Sequence, residues 1–255
     1  MAIYTQAFDV EFKADQSPVT EADIAAHHAL IEALTQLTPE IPVLSEESEA
    51  PEYATRHAWQ RYWLIDPLDG TKSFIQRTGE FTVNVALIES GTPVFGIVQA
   101  PALNTLWWGS LTGGAWKRDD HSNTARITCR PLPCPATTEH PWRIVGSKSH
   151  GREQLAAFCQ TLPTHEMLNL GSSLKLCMIA KGQADIYPRL APTSEWDTAA
   201  AHAILLAAGG NVFELSTLTP LRYNQTPSLL NPYFIACHTL TEKLIPLIKA
   251  AFSER

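Results

Sequence analysis

The spacing of apolar positions changes along the chain. From Thr20 to Leu37, the residues Ile24, Leu30, Ile31, Leu34 and Leu37 recur at helical spacing, which predicts an amphipathic helix. Thr20 followed by Asp23 makes a capping-box pattern at its start, and Pro39 and Pro42 close it. Pro42-Val43-Leu44 reads as a short strand leading into Ser45-Glu46-Glu47, and residues 52–60 as a second helix. Phe81 to Ile88, Pro93 to Gln99 and Thr105 to Gly109 are rich in β-branched and aromatic residues. With Glu89-Ser90-Gly91-Thr92 as a turn, they predict an antiparallel meander, and Gly113-Gly114 opens a further hairpin.

The run Arg130-Pro131-Leu132-Pro133-Cys134-Pro135 breaks this pattern. After it, short strands are expected at 142–145, 166–170, 184–187, 211–215 and 233–237. Helices are expected at 151–162, 172–181, 197–208 and 240–251. The chain therefore divides into an N-terminal α+β half with an antiparallel sheet, 1–133, and a C-terminal α/β half, 134–255.

Composition narrows the function classes. The 255 residues are 45% hydrophobic and 18% charged, which excludes a disordered chain. The formal net charge is −7 and there is no basic run, which argues against a nucleic-acid polymer as partner. A small anionic ligand stays open if local cations offset the acidic field. The five cysteines are scattered without metal-site spacing and read as reduced thiols of a cytoplasmic protein. Met1 to Lys13 has no signal-peptide pattern, and no apolar run approaches transmembrane length.

The most informative stretch is Trp63-Leu64-Ile65-Asp66-Pro67-Leu68-Asp69-Gly70-Thr71. A buried strand is expected to stop at Pro67, with Gly70 in a tight turn and a helix starting near Thr71. Asp66 and Asp69 then share a strand end beside a helix N-terminus, an arrangement suited to a cation and a phosphate together. Asp, Pro and Gly are also ordinary turn residues, so the stretch alone leaves both readings open. Asp23 and Asp197 taken singly read as helix-start residues, and Glu46-Glu47 as a solvated turn. Gathered in one cleft, these acids require cations, because two unit charges ~4 Å apart repel by about 4 kcal/mol at an effective dielectric of ~20. Mg²⁺ suits such a set, since it takes carboxylates, waters and substrate phosphate.

Four motifs in order carry a resemblance: V-T-E-A-D at 19–23, S-E-E at 45–47, D-P-L-D-G-T at 66–71 and W-D-T-A-A at 196–200. The chain resembles the inositol monophosphatase-like superfamily of lithium-sensitive, Mg²⁺-dependent phosphatases, over nearly its whole length. G-E-F-T-V-N at 79–84, G-S-S-L-K at 171–175 and Y-P-R at 187–189 are similar to its bacterial 3′(2′),5′-bisphosphate nucleotidase branch. The resemblance implies a layered αβαβα sugar-phosphatase fold and two or three Mg²⁺ ions. It implies Glu46, Asp66, the Leu68 carbonyl, Asp69 and Asp197 as metal ligands, with Gly70 and Thr71 as backbone donors to the scissile phosphate. Asp23 and Thr71, with Glu46 holding the metal that activates the water, are the implied catalytic group. Ser172, Lys175, Arg189 and His150 are implied to hold the rest of the nucleotide. By themselves these last residues say less: Lys175 reads as a solvated-face helix lysine, Arg189 stands at a strand end, and His150 is one of nine histidines.

Two departures stand out. Ser73 replaces the Glu that relatives often carry after D-G-T-K, which bears on the rim of the site. Only Met1 to Val10 precede the Phe12 segment, where relatives have a full helix; a mis-assigned start, a truncated sequence and a shortened first helix would all look alike.

The reading is a cytoplasmic, magnesium-dependent enzyme that removes the 3′-phosphate of 3′-phosphoadenosine 5′-phosphate (PAP), the by-product of sulfate assimilation, by attack of water. The inner membrane face is an alternative station for it. The partner is a small bisphosphorylated nucleotide, and a monomer is the simplest assembly. The rivals are an inositol or sugar monophosphatase on the same scaffold, and a non-catalytic Mg²⁺-nucleotide binding protein.

Overall fold

The computed structural model describes residues 1–13, 18–147 and 152–252. A single 3-10 turn, Ile3–Thr5, precedes the first strand. Strands β1 (Val10–Phe12) and β2 (Pro18–Thr20) pair antiparallel, and β2 delivers Thr20 as the N-cap of helix α1 (Glu21–Leu37). The capping box is formed as the sequence predicts. The Thr20 side chain accepts from the first turn, and Asp23 Oδ2 accepts the Thr20 N–H at 2.8 Å. The stripe of α1 is narrower than its spacing suggests: Leu34 is buried and Leu30 and Ile31 pack beside it, but Ile24 and Leu37 are exposed. Ile24 lies at the edge of the apolar arc and Leu37 in the last turn, so neither faces the sheet squarely.

Strands β3 (Val43–Ser45), β4 (Arg61–Asp69), β5 (Thr82–Glu89), β6 (Thr92–Ala100), β7 (Thr105–Ser110), β8 (Gly114–Arg118) and β9 (Thr124–Ile127) form one sheet in sequence order. β3 and β4 are parallel and the other pairs antiparallel, which is the predicted meander extended at both ends. Short helices α2 (Tyr53–His57) and α3 (Thr71–Ile75) flank β4.

Contrary to the expectation from Pro67, β4 runs on to Asp69. Asp66 pairs with Asn84 and Asp69 with Thr82, so one extra residue is accommodated between them. This bulge takes the proline, which has no N–H for the ladder, and re-aims the Asp69 carboxylate that follows.

The second sheet has the order β11-β10-β12-β14-β13, with β10 (Trp142–Ser147), β11 (His165–Leu170), β12 (Ile186–Arg189), β13 (Asn211–Glu214) and β14 (Phe234–Cys237). β10 is parallel to β11 and β12, and β14 is antiparallel to its neighbours. Helices α4 (Arg152–Gln160), α5 (Leu174–Ala180), α6 (Ala199–Ala207) and α7 (Leu244–Phe252) complete the chain. We propose the Arg130 to Pro135 run, which lies between β9 and β10, as the divide between its two halves, 1–133 and 134–255.

Strand alternation sorts the layers. Trp63, Ile65 and Val85 face α1, while Tyr62, Leu64, Ala86 and Val98 face inward. The inward set joins Leu176 and Ile179 of α5, Ala200 and Ile204 of α6, and Phe234 and Ala236 of the second sheet in one core. Ile144, Ile186 and Ile235 on the far side pack against Phe158 of α4 and Leu244 and Ile248 of α7. The result is the expected αβαβα layering, with α5 and α6 between the sheets.

The alanine run of α6 has a steric cause. A Cβ on Gly96 would stand 2.1 Å from the Ala200 carbonyl oxygen, and one on Gly109 would stand 3.0 Å from the Ala207 Cβ. Small residues on both partners let the helix lie flush on the sheet. Gly96→Ala is expected to destabilise the protein by about 1–3 kcal/mol through overpacking. Thermal melting measures this, and an unchanged midpoint would contradict the close approach.

Candidate active site

The bulge of β4 and the ends of β3 and α6 meet at one cleft of about 300 Å³, lined by Glu46, Asp69, Gly70, Thr71, Lys175, Arg189 and Asp197 among others. One carboxylate oxygen each from Glu46, Asp66 and Asp197 lies within 4.8 Å of the other two. Asp66 is fully buried. Its Oδ1 accepts the Leu68 N–H at 3.0 Å, and its Oδ2 has no hydrogen-bond partner among the described residues.

Asp69 is anchored through its Oδ2, which accepts from Ser172 Oγ at 2.6 Å and Ser173 N at 2.7 Å and lies 3.1 Å from Ser173 Oγ. Asp197 precedes α6 by two residues, and its Oδ2 accepts from Thr193 Oγ1 at 2.6 Å and Ser194 N at 2.9 Å. Lys13 bridges Glu46 at 3.0 Å and Glu47 at 2.7 Å, a contact that no sequence pattern predicts.

These acids disturb one another. Burial pushes Glu46 up to about 7, with Lys13 opposing and Asp197 and Glu47 adding to the rise. Burial, then Glu46, Asp69 and Asp197, holds Asp66 well above the ordinary carboxylate range. Asp197 is pushed up to about 6 by burial and by Asp69, against the bonds from Thr193 and Ser194. Crowded buried carboxylates with an orphaned oxygen are a donor set for a hard divalent cation, and Mg²⁺ fits it.

The catalytic pair expected from the resemblance is in contact: Thr71 Oγ1 donates to Asp23 Oδ1 at 3.1 Å and also lies 3.3 Å from the Leu68 carbonyl oxygen. Asp23 is buried, and its Oδ2 is fixed by Thr20, so its free edge points to Thr71. Gly70, at φ +95°, makes the turn into α3; a Cβ there would sit 3.0 Å from the Glu80 carbonyl oxygen. Gly70, Thr71 and Ser73 all line the cleft, whereas Leu68 is buried beside it.

Lys175 corrects its reading as a solvated-face residue. It is 6% exposed, its Nζ donates to the Ser172 carbonyl oxygen at 2.6 Å, and it stands 5.5 Å from the Tyr187 ring centroid. Arg189 is held at the rim by the carbonyl oxygens of Ala191 at 2.9 Å and Pro192 at 2.5 Å. The Ser172 hydroxyl goes to Asp69 and also contacts Thr82. His150 lies outside the described residues.

The inositol monophosphatase family model matches residues 2–252. The chain belongs to this family. Among relatives, the 3′(2′),5′-bisphosphate nucleotidase CysQ of Salmonella typhimurium is 49% identical over 236 residues, covering 92% of each chain. The solved CysQ of Bacteroides thetaiotaomicron, a bacterial member of the inositol monophosphatase family, is 38% identical with a TM-score of 0.79, covering 93% of this chain and 91% of that one. A staphylococcal inositol monophosphatase-1, solved as a LiCl-soaked inhibitory complex, shares the fold at 16% identity and a TM-score of 0.75, covering 97% and 86%. No helix among the described residues is long and apolar enough to cross a membrane.

Proposed function

We propose that this member of the inositol monophosphatase family is a magnesium-dependent 3′(2′),5′-bisphosphate nucleotidase that converts PAP to AMP and inorganic phosphate. It would thereby recycle the by-product of sulfate assimilation. The observation that carries the reading is the pairing, in one cleft, of the acid cluster with cations that include Lys175 and Arg189. A buried lysine is costly unless an anion joins it, and a phosphate that is bound but not cleaved is such an anion. The likeness to the CysQ relatives supports the same substrate class. Five free cysteines, four of them buried, support a reducing cytoplasmic setting.

Glu46, Asp66, the Leu68 carbonyl, Asp69 and Asp197 would hold two or three Mg²⁺ ions. When bound, these ions supply Lewis acidity and a more acidic water. Asp23 keeps the Thr71 hydroxyl oriented, and the pair takes up the proton that the attacking water gives up. Gly70 and Thr71 present main-chain N–H groups to the phosphoryl oxygens, while Lys175 and Arg189 fix the second phosphate. Attack by water in line with the leaving ribose oxygen completes the reaction without a covalent enzyme intermediate.

Phosphate release from PAP, inositol 1-phosphate and fructose 1,6-bisphosphate tests the proposal. The expected order puts PAP first by at least tenfold in kcat/KM. Preference for either sugar phosphate would replace the reading with a sugar monophosphatase. Lithium is a further check. Li⁺ is close to Mg²⁺ in size with half its charge, so it should inhibit the substrate-saturated enzyme in a manner that varies with Mg²⁺ concentration. The same effect from Na⁺ or K⁺ at equal ionic strength would count against an ion-specific site.

A further inference from the structure

Asn84 and Ser173 stand outside the acid set, yet their hydrogen bonds run into it. Asn84 lies on β5 directly across from Asp66 on β4, so the two side chains share a face of the sheet, and both are buried. Ser173 occupies the N-cap position of α5 but makes no capping bond. Its hydroxyl is turned the other way: Oγ lies 2.6 Å from the Asp197 carbonyl oxygen, 3.1 Å from Asp69 Oδ2 and 2.9 Å from Asn84 Nδ2. A Ser at an N-cap ordinarily serves its own helix. Here it joins the first sheet to the segment that carries Asp197.

The proton count fixes the orientation of the network. The Asp197 carbonyl and the Asp69 carboxylate only accept, and the Ser173 hydroxyl has one proton, which goes to the nearer Asp197 oxygen. The Ser173 backbone N–H, at 2.7 Å, holds Asp69 independently. The third partner of Oγ must therefore be a donor, so Asn84 presents its NH₂ edge to Ser173 and its Oδ1 to the other side. That Oδ1 is buried with no partner among the described residues, as is Oδ2 of its cross-strand neighbour Asp66. Two orphaned acceptors on paired strands ask for a hydrated cation, which can be bound by the carboxylate and give a water hydrogen to the amide.

We propose that Asn84 and Ser173 are positioning residues of the metal centre: they set the spacing of Asp66, Asp69 and Asp197, and Asn84 Oδ1 receives a hydrogen from water carried by the ion. The inference rests on the metal-dependent reading above but not on the identity of the phosphate ester.

The test is Mn²⁺ titration of the full chain, with free Mn²⁺ followed by electron paramagnetic resonance, beside thermal melting in chelator. Asn84→Ala and Ser173→Ala are each expected to weaken Mn²⁺ binding by about 10–100-fold. The double variant should lose less affinity than the product of the two single losses, because the Asn84–Ser173 bond is common to both. Ser173→Cys keeps the size and a weak donor, is the variant of choice if Ala disturbs folding, and should fall between wild type and Ser173→Ala. Wild-type Mn²⁺ affinity in the variants, whatever their melting points, or strictly additive losses, would overturn the proposal. A wild type that takes up no Mn²⁺ would remove the metal reading and this inference together. Wild-type Mn²⁺ uptake without PAP hydrolysis would remove only the nucleotidase reading.

Discussion

Asp66→Asn is expected to lower PAP turnover by at least ~10³-fold, about 4 kcal/mol of transition-state stabilisation, while raising the melting point of the metal-free protein. Both effects come from one atom. Asp66 Oδ2 is buried with no hydrogen-bond partner among the described residues, within 4.8 Å of carboxylate oxygens of Glu46 and Asp197. In the metal-free state its charge is unpaired and repelled, so an amide of the same shape relieves strain in the cluster. The amide keeps Oδ1 for the Leu68 N–H and gives Oδ2's place to a donor beside Glu46. With the cation present the argument reverses, because the lost charge is a ligand. Near-wild-type turnover of Asp66→Asn, or of the wild type in excess chelator, would defeat the metal mechanism.

The same cluster sets a pH dependence. In the unfolded chain these carboxyls titrate near 4. In the folded chain Glu46 is raised to about 7 and Asp197 to about 6, both chiefly by burial. Between these limits the folded state binds more protons than the unfolded one. Their contribution to stability is therefore complete below about pH 4 and is lost as the pH rises through 6 and 7. Melting of the metal-free protein should fall across that window, and Mg²⁺ should flatten the dependence. A melting point that rises with pH from 5 to 7.5 in chelator would contradict the unpaired cluster.

The acids of the site were legible because each stands at the end of an element: Asp23 in a capping box, Glu46 after β3, Asp66 and Asp69 around a bulge, Asp197 before α6. Strand and helix periods announce such junctions. The residues that hold those acids were not legible. Asn84 sits in mid-strand, where a single polar residue among apolar ones gives no sign of its partner 89 residues away. Ser173 looks like a helix cap and is not one. Lys13 meets Glu46 only through the fold. Lys175 departs from the expectation because periodicity assumes that a helix has a wet face. Helix α5 lies between two sheets, and Leu174, Lys175, Leu176, Cys177, Ile179 and Ala180 are all buried. Pro67 was read as a stop because the bulge that accommodates it depends on the register with β5.

That sandwiched lysine leads to the sharpest test of substrate class. Lys175→Met keeps most of the buried volume and removes the charge, and Arg189→Ala removes the cation at the rim. A charge-assisted contact to phosphate contributes on the order of 1.5–3 kcal/mol, so each change should lower kcat/KM for PAP by about one to two powers of ten. A substrate such as 3′-AMP has no second phosphate, and its hydrolysis should change little. The ratio of the two specificity constants is therefore the quantity to measure. It should also depend on pH in the wild type. Burial pushes Lys175 down to about 8, partly offset by Asp69, so the free enzyme carries the charge below that pH and loses it above. The PAP to 3′-AMP ratio should hold steady below pH 8 and decline above it, and Lys175→Met should remove that decline. If both substrates respond alike to the substitutions, Lys175 and Arg189 serve the fold or the shared phosphate, and the inositol phosphatase reading gains the ground that PAP loses.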